Sequence, residues 1–137
     1  ESPSWGRPFD LLFRTGPRLD APAAASGSAV RAFAPDLLDA PSWWLGEHLD
    51  VLEGPRWIRA AGAVPDEVRV RTSGARLWEV HEPPGVGLVA SECPAVAGVL
   101  HLNAEAFPLE VVAGAGDVTE PPCPCGRGLP TLRLAGR

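Results

Sequence analysis

The stretch ASECPAVAGVLHLN, residues 90–103, carries the pattern that decides the fold. One β-type run ends at Cys93, the composition of Pro94–Gly98 is that of a turn, and a second β-type run covers Val99–Asn103. Such a turn would bring Cys93 and His101 to the same end of a hairpin. The stretch therefore predicts two neighbouring strands that carry two side chains able to bind a metal.

Further β-type runs lie on both sides of this hairpin, separated by clusters of proline and glycine. They are Glu67–Arg71, Leu77–His81, Leu109–Ala113 and Thr131–Ala135, whereas the run Gly87–Glu92 is the first strand of the hairpin itself. Upstream, apolar residues recur every three or four positions from 36 to 52, interrupted at Pro41, which is helical periodicity. We expect an α+β fold in which a mostly antiparallel sheet in the second half is covered by a helix over Leu37–Leu52.

The length of 137 residues fits one domain of ordinary size. Residues 1–34 are rich in Pro, Ala, Gly and Ser and predict a loop-rich N-terminal segment. Residues 35–137 then form a single compact α+β domain, with a zinc-knuckle region over 87–127. Because 15 Gly and 16 Pro are present, we also expect long connections of irregular structure.

The charged residues exclude several classes of function. All 12 basic residues are arginine, so the chain contains no lysine for a Schiff base or a phosphate-binding P-loop. A net charge of −5 argues against a general nucleic-acid partner, which needs a basic face. No apolar run approaches the roughly 18 residues of a membrane span, and no signal-peptide pattern is visible. We therefore expect a cytoplasmic protein with no membrane partner.

Three cysteines are present, one at Cys93 and two in the sequence Cys123-Pro-Cys125. An odd number does not complete a disulfide framework, and a disulfide within Cys-x-Cys would close a small, strained ring. Together with His101 the three thiols make a Cys₃His set, which suits a closed tetrahedral zinc site. Two surface cysteines and one buried cysteine with no metal are the alternative, and spacing alone does not decide between them.

These residues also resemble a known family in their order and spacing. The succession consists of Ala90-Ser-Glu-Cys-Pro94, Gly98–Asn103, Leu109–Val112, Gly116-Asp-Val118, Cys123-Pro-Cys-Gly-Arg127, Pro130 and Gly136-Arg137. It resembles the central segment of phenylacetate–CoA ligases and related synthetases, which are adenylate-forming enzymes, over residues 87–137. The resemblance implies a core like part of an adenylate-forming enzyme. It also implies a structural zinc site made of Cys93, His101, Cys123 and Cys125.

Elsewhere the chain departs from the pattern of that family. Arg71–Leu77 resembles the family's Gly-rich turn, which makes Gly74 a ligand-binding candidate. Gly85 stands where the Y-G-S-T-E motif has the glutamate that helps to hold magnesium, and Glu82 lies three residues before it. Asp117 matches the aspartate that would bind ribose, without its Arg and Thr neighbours. The resemblance therefore implies a shortened and degenerate member of the family. ATP or AMP and CoA are candidate cofactors only because the resemblance implies them.

Three hypotheses for function follow. The first hypothesis is that the chain is a non-catalytic accessory or binding module that serves a biosynthetic enzyme or carrier protein. Alternatively, it is a small enzyme that reuses a pocket near Val80–Gly87 and Asp117 for a ligand such as a small carboxylic acid, with His81 or Glu82 as acid or base. The third hypothesis is a reduced adenylate-forming enzyme. The loss of the motif glutamate, the Arg-Thr pair and every lysine favours the first.

Overall fold

The structure, a computed structural model, describes residues 26–72, 77–110, 114–119 and 123–135. Within these ranges the helical elements are α1 (Gly27–Phe33), α2 (Ser42–Glu47), a 3₁₀ turn (Leu49–Val51) and α3 (Asp66–Thr72). The strands are β1 (Leu37–Pro41), β2 (Trp57–Ala61), β3 (Leu77–His81), β4 (Ala90–Glu92), β5 (Val99–Leu102), β6 (Gly116–Thr119) and β7 (Thr131–Leu134). None of the described helices is long and apolar enough to cross a bilayer.

All seven described strands belong to one sheet, in the order β1-β2-β3-β4-β5-β7-β6. The pairs β1–β2 and β2–β3 are parallel, and every pair from β3 onward is antiparallel. The sheet thus has a parallel part (β1–β3) and an antiparallel part (β4, β5, β7 and β6). The predicted α+β class and the mostly antiparallel sheet are confirmed.

The predicted covering helix over Leu37–Leu52 is wrong. Its first residues form the strand β1, and only α2 and the 3₁₀ turn that follow it are helical. Pro41 explains the difference, because proline disfavours helical geometry in the residue before it and cannot donate a backbone hydrogen bond. Leu38 and Ala40 are buried while Asp39 is exposed, which is the alternation of a strand.

The predicted strand Glu67–Arg71 is also wrong, since these residues lie in α3. Asp66 and Glu67 occupy the first turn and Arg69 and Arg71 the last, an arrangement that the helix dipole favours. Val68 is buried whereas Val70 is 83% exposed, so the alternating valines do not share a strand-like environment. The start signal of acidic residues after a proline outweighs the alternation.

Other boundaries differ by smaller amounts. The predicted runs at 77–81, 99–103 and 131–135 match β3, β5 and β7 to within one residue, and Gly87–Glu92 shortens to β4. Leu109 and Glu110 are not in a strand, and the rest of the predicted Leu109–Ala113 run lies outside the described residues. The strands β2 and β6 were not predicted. Within the segment predicted to be loop-rich, α1 begins behind Ser26, whose side chain accepts a hydrogen bond from the backbone of Ala29.

The sheet has two faces with different contents. On the helix face, apolar side chains of the strands pack against α1, α2 and α3: the largest buried cluster there comprises Val30, Leu38, Ala40, Trp44, Leu45, Val51, Leu52, Ile58, Ala60, Val64, Val68 and Leu77. A smaller cluster on the antiparallel part contains Ala90, Leu100, Leu102 and Leu132. Strand register places Ser91, His101 and Thr131 on the opposite face. We call that side the cysteine face, because Cys93 and Cys123 lie there with Val99.

Candidate metal centre

The hairpin β4–β5 positions the first two candidate ligands. Cys93 directly follows β4, and its backbone N–H donates to the carbonyl of Val99 at 2.7 Å, which extends the pairing of the two strands. His101 lies in β5 opposite Ser91 and is 2% exposed. The intervening turn is held by Glu92, whose carboxylate accepts the N–H of Gly98 at 2.7 Å. The predicted hairpin is therefore formed, with both side chains on the cysteine face.

A tight turn positions the other two candidate ligands. The N–H of Gly126 donates to the carbonyl of Cys123 at 2.8 Å, which closes the turn around Cys123-Pro-Cys125. Gly126 has a φ of 83°, a left-handed conformation that glycine adopts at little cost. The turn directs both thiols toward the hairpin, where they contact Cys93 and His101.

The four side chains meet in one cluster. The Sγ atoms of Cys93 and Cys123 are 3.6 Å apart, and Nε2 of His101 is 3.1 Å from Sγ of Cys125. One ligand atom from each of the four residues lies within 4.8 Å of all the others. A tetrahedral site with metal–sulfur bonds of about 2.3 Å has sulfur–sulfur edges of about 3.8 Å. These four residues can therefore hold a metal ion.

The local electrostatics set which groups carry protons before a metal binds. Burial, aided by the positive charge of Arg127, lowers the pKa of His101, so its imidazole is neutral and able to ligate. A hydrogen bond from the backbone of Arg127 lowers the pKa of Cys125. The backbone of Cys125 acts to lower the pKa of Cys123, but burial and the neighbouring thiols raise it overall. Metal binding would therefore release protons from thiols, and its affinity would rise with pH.

An open cleft of about 390 Å³ borders the cluster on the cysteine face. Its lining includes Val99, Asp117, Thr119, Cys123, Thr131 and Arg133. Asp117 and Arg133 are direct cross-strand partners on β6 and β7, as are Thr119 and Thr131. The sequence analysis identified Asp117 but not Arg133 or the two threonines. Because β6 was not predicted, its register with β7 could not be predicted either.

The catalytic candidate His81 has a different environment. It lies at the end of β3 on the helix face, and its Nε2 is 2.6 Å from Oε1 of the fully buried Glu79. Glu79 also accepts hydrogen bonds from Nη2 of Arg69 at 2.5 Å and from the backbone N–H of Val64 at 3.2 Å. The imidazole is thus anchored to a buried carboxylate.

The other candidates of that segment are either paired or exposed. Arg59 donates from Nη2 to Oε2 of Glu82 at 2.5 Å and from Nη1 to Oδ1 of Asp39 at 3.0 Å. Gly85 is in an exposed turn with a φ of 77°, and among the described residues beyond its chain neighbours no atom lies within 4 Å of the position a Cβ would take. Gly74 lies outside the described residues.

The structure does not bring His81 and Asp117 into one pocket. Strands β4, β5 and β7 separate β3 from β6, so the two residues are four strand spacings apart, about 19 Å. They also point to opposite faces, since His81 aligns through β4 with Leu102 and Asp117 aligns through β7 with Val99. The expectation of one pocket near Val80–Gly87 and Asp117 is therefore wrong.

A buried ionic network that the sequence analysis missed joins the two parts of the sheet. Arg69 donates to Glu79 of β3 through Nη2 and to Glu92 of β4 through Nη1, the second contact at 2.7 Å. Glu92 in turn accepts the backbone N–H of Glu79 at 3.1 Å. A glutamate at an inward position of the Leu77–His81 strand was the available signal, because a buried carboxylate needs a cationic partner.

Comparison with known proteins gives no assignment: no protein-family model, curated protein or solved structure matches this chain. The resemblance to phenylacetate–CoA ligases stays a prediction.

Proposed function

We propose that the chain is a zinc-stabilised, divergent module related to the phenylacetate–CoA ligases, which acts as a non-catalytic accessory or binding protein. The observation that carries the proposal is the convergence of Cys93, His101, Cys123 and Cys125 within 4.8 Å. Two separate turns, far apart in the chain, supply these ligands, as the resemblance implies for the zinc site of that family.

The donor set supports zinc as the ion. Three thiolates and one imidazole are soft or borderline ligands, which disfavour magnesium and calcium. Four protein ligands complete a tetrahedral shell and leave no position for a catalytic water, so the site is structural. The ion would connect the β4–β5 hairpin to the Cys123–Cys125 turn, where the buried apolar cluster is small.

The environment of the catalytic candidates supports a non-catalytic role. His81 is hydrogen-bonded to Glu79, and Glu82 is paired with Arg59. Asp117 lies about 19 Å from His81 along the sheet. The chain also contains no lysine to serve adenylation. A binding role is supported by two exposed tryptophans, Trp43 at 64% and Trp57 at 49%, because exposed aromatic side chains are frequent at interfaces. The partner would be a biosynthetic enzyme or a carrier protein.

The cleft beside the cluster favours a second candidate function, the binding of a small carboxylic acid. Arg133 supplies a cation that suits a carboxylate, and Thr119 and Thr131 supply hydroxyls on the same face. Asp117 would orient the ligand through a hydroxyl or amino group. Titration calorimetry with a panel of aromatic and aliphatic acids tests this candidate, with Arg133→Leu as the matched variant that abolishes binding.

Three measurements test the main proposal. Elemental analysis of the purified protein should give one zinc ion per chain, and a strong chelator should lower the melting temperature. ATP–pyrophosphate exchange with the same panel of acids should give no signal above the background. A metal-free protein that is indifferent to the chelator contradicts the zinc site, and robust exchange contradicts the non-catalytic role.

A further inference from the structure

We propose that the cysteine cluster is also a redox-sensitive site, in which Cys93 and Cys123 form a disulfide and the metal ion leaves. The proposal rests on the proposed zinc site, because metal release is its second half. Its geometric basis is the 3.6 Å distance between the Sγ atoms of Cys93 and Cys123. A disulfide bond is about 2.05 Å long, so the two sulfurs must approach by about 1.6 Å, which side-chain rotation can provide.

Of the three pairs that the cysteines allow, the geometry favours Cys93 and Cys123, whose sulfurs are in direct contact. Cys123 and Cys125 are separated by one residue, and a disulfide between them would close a small, strained ring. The sulfur of Cys125 lies 3.1 Å from Nε2 of His101 and within 4.8 Å of the other two sulfurs. Cys93 and Cys123 are the two buried thiols of an apolar cluster with Val99, against which the partly buried Cys125 packs.

The cleft supplies the route for an oxidant. Cys123 is 8% exposed overall, but it lines the open cleft of about 390 Å³ together with Arg133 and Thr131. That space admits hydrogen peroxide or a small organic hydroperoxide. Cys93 is 4% exposed and is absent from that lining, so within this pair the oxidant reaches Cys123 before Cys93.

The reaction is a two-electron oxidation of the sulfur pair by a hydroperoxide. The Cys123 thiolate attacks the terminal oxygen, the O–O bond breaks, and a sulfenic acid forms while the leaving alkoxide or hydroxide takes a proton from water. The Cys93 thiolate then attacks the Cys123 sulfur, the S–S bond forms, and hydroxide leaves to become water. The hydroperoxide is reduced to water and an alcohol, or to two waters.

The product retains one cross-link but loses the metal. A disulfide between residues 93 and 123 connects the β4–β5 hairpin to the Cys123–Cys125 turn, as the ion would. His101 and Cys125 are left as two ligands, too few for a closed zinc site. Oxidation therefore releases the ion while the antiparallel part stays tethered.

The test treats the purified, metal-loaded protein with a small excess of hydrogen peroxide. A chromogenic chelator measures released zinc, and peptide mapping without reductant locates the cross-link. Trypsin leaves all three cysteines in one peptide, because the chain has no lysine and no arginine between Arg76 and Arg127. Cleavage after Glu105 and Glu110 separates Cys93 from the other two, and fragmentation between Cys123 and Cys125 assigns the bonded sulfur.

We expect one zinc ion released per cross-link formed, two of the three thiols lost, and full reversal by a dithiol reductant with added zinc. The Cys125→Ser variant should still form the cross-link, whereas Cys123→Ser should not. A cross-link through Cys125, oxidation that stops at a sulfinic acid, or thiols that resist peroxide while zinc stays bound would each overturn the proposal.

These outcomes separate the disulfide from the zinc site. A preparation without metal that still forms the Cys93–Cys123 cross-link contradicts the zinc site and supports the pairing of the sulfurs. One zinc ion per chain with no such cross-link supports the zinc site and overturns the disulfide. Zinc content and cross-link formation are both measured on the wild-type protein, so the conclusion does not depend on a variant that fails to fold.

Discussion

The parallel and antiparallel parts of the sheet are held together by different means. In the parallel part, strands β1–β3 share with the helices a buried apolar cluster that extends from Val30 to Leu77. In the antiparallel part, the apolar cluster comprises only Ala90, Leu100, Leu102 and Leu132, and the cysteines lie on the opposite face. The contrast indicates that hydrophobic burial stabilises the parallel part, and we propose that a metal ion in the Cys/His cluster would cross-link the antiparallel part.

The largest expected effect comes from Cys123→Ser, which removes a ligand from the part with the small core. The variant should lose its zinc and melt at least about 15 °C lower, because a structural zinc site contributes much of the folding free energy of the region around it. Hydrogen exchange should accelerate in β5 and β7 before it does in β1–β3. Ser91→Ala, a replacement on the same face outside the ligand set, is the control. Uniform acceleration across the whole sheet would contradict the division into two parts.

Arg69→Met affects the boundary between the two parts. Arg69 pairs with Glu79 of β3 and Glu92 of β4, so its loss leaves two buried carboxylates without their cation. We expect a loss of about 3–5 kcal/mol in the free energy of unfolding. Urea denaturation measures it, with the exposed Arg71, replaced by Met, as the matched control on the same helix. Zinc should remain bound below the transition, and a loss under about 1 kcal/mol would show that the network contributes little.

Leu45→Ala tests the parallel part by itself. Leu45 is fully buried in the apolar cluster of the helix face, so its truncation should cost about 3 kcal/mol. The zinc content should stay at one per chain. The exposed Trp43, replaced by Ala, serves as the control on the same helix. Zinc loss from the Leu45 variant in its folded state would mean that the two parts are not independent.

A smaller effect is expected from pH in the metal-free protein. Burial lowers the pKa of His101 in the folded state, whereas an unfolded histidine takes up its proton near pH 6.5. The folded protein then binds fewer protons, so its stability should fall as the pH drops through about 6.5 toward the lowered pKa. The slope should not exceed about 1.4 kcal/mol per pH unit for one proton. The His101→Asn variant should lose this part of the pH dependence, and an unchanged profile would contradict the assignment.

Asp117→Ala should have the smallest effect on folding. Asp117 is exposed on the edge strand β6, and we expect a change within about 0.5 kcal/mol and no loss of zinc. Thermal melting and elemental analysis measure both quantities. A large destabilisation would mean that the cross-strand pair with Arg133 is structural, which would weaken the case for a ligand cleft.

The Cys/His cluster was the most predictable part of the molecule. The residue types and the short spacings of Cys93 to His101 and Cys123 to Cys125 determine the local turns, and strand pairing follows from those turns. The approach of the two turns to each other depended on the position of β7 beside β5. The sequence alone did not specify that position, because the pairing partner of a short strand is set by the whole sheet.

The parallel part was the least predictable. Pro41 interrupts the predicted helix, but β1 was not predicted because the leucines before Pro41 also fit helical spacing. The alternation of Val68 and Val70 concealed α3 for the opposite reason. The ion pairs of Arg69 could not be predicted, because they join a helix to two strands and the sequence does not specify how these elements are arranged. In each case a short segment fits two periodicities, and tertiary packing decides between them.

The proposed zinc site is tested most directly through the atoms that surround the ion. X-ray absorption at the zinc edge of the purified protein measures them without any mutation. We predict one zinc ion per chain with three sulfur ligands near 2.3 Å and one nitrogen ligand near 2.0 Å. A protein without zinc, or a zinc shell made mainly of oxygen ligands, would contradict the account.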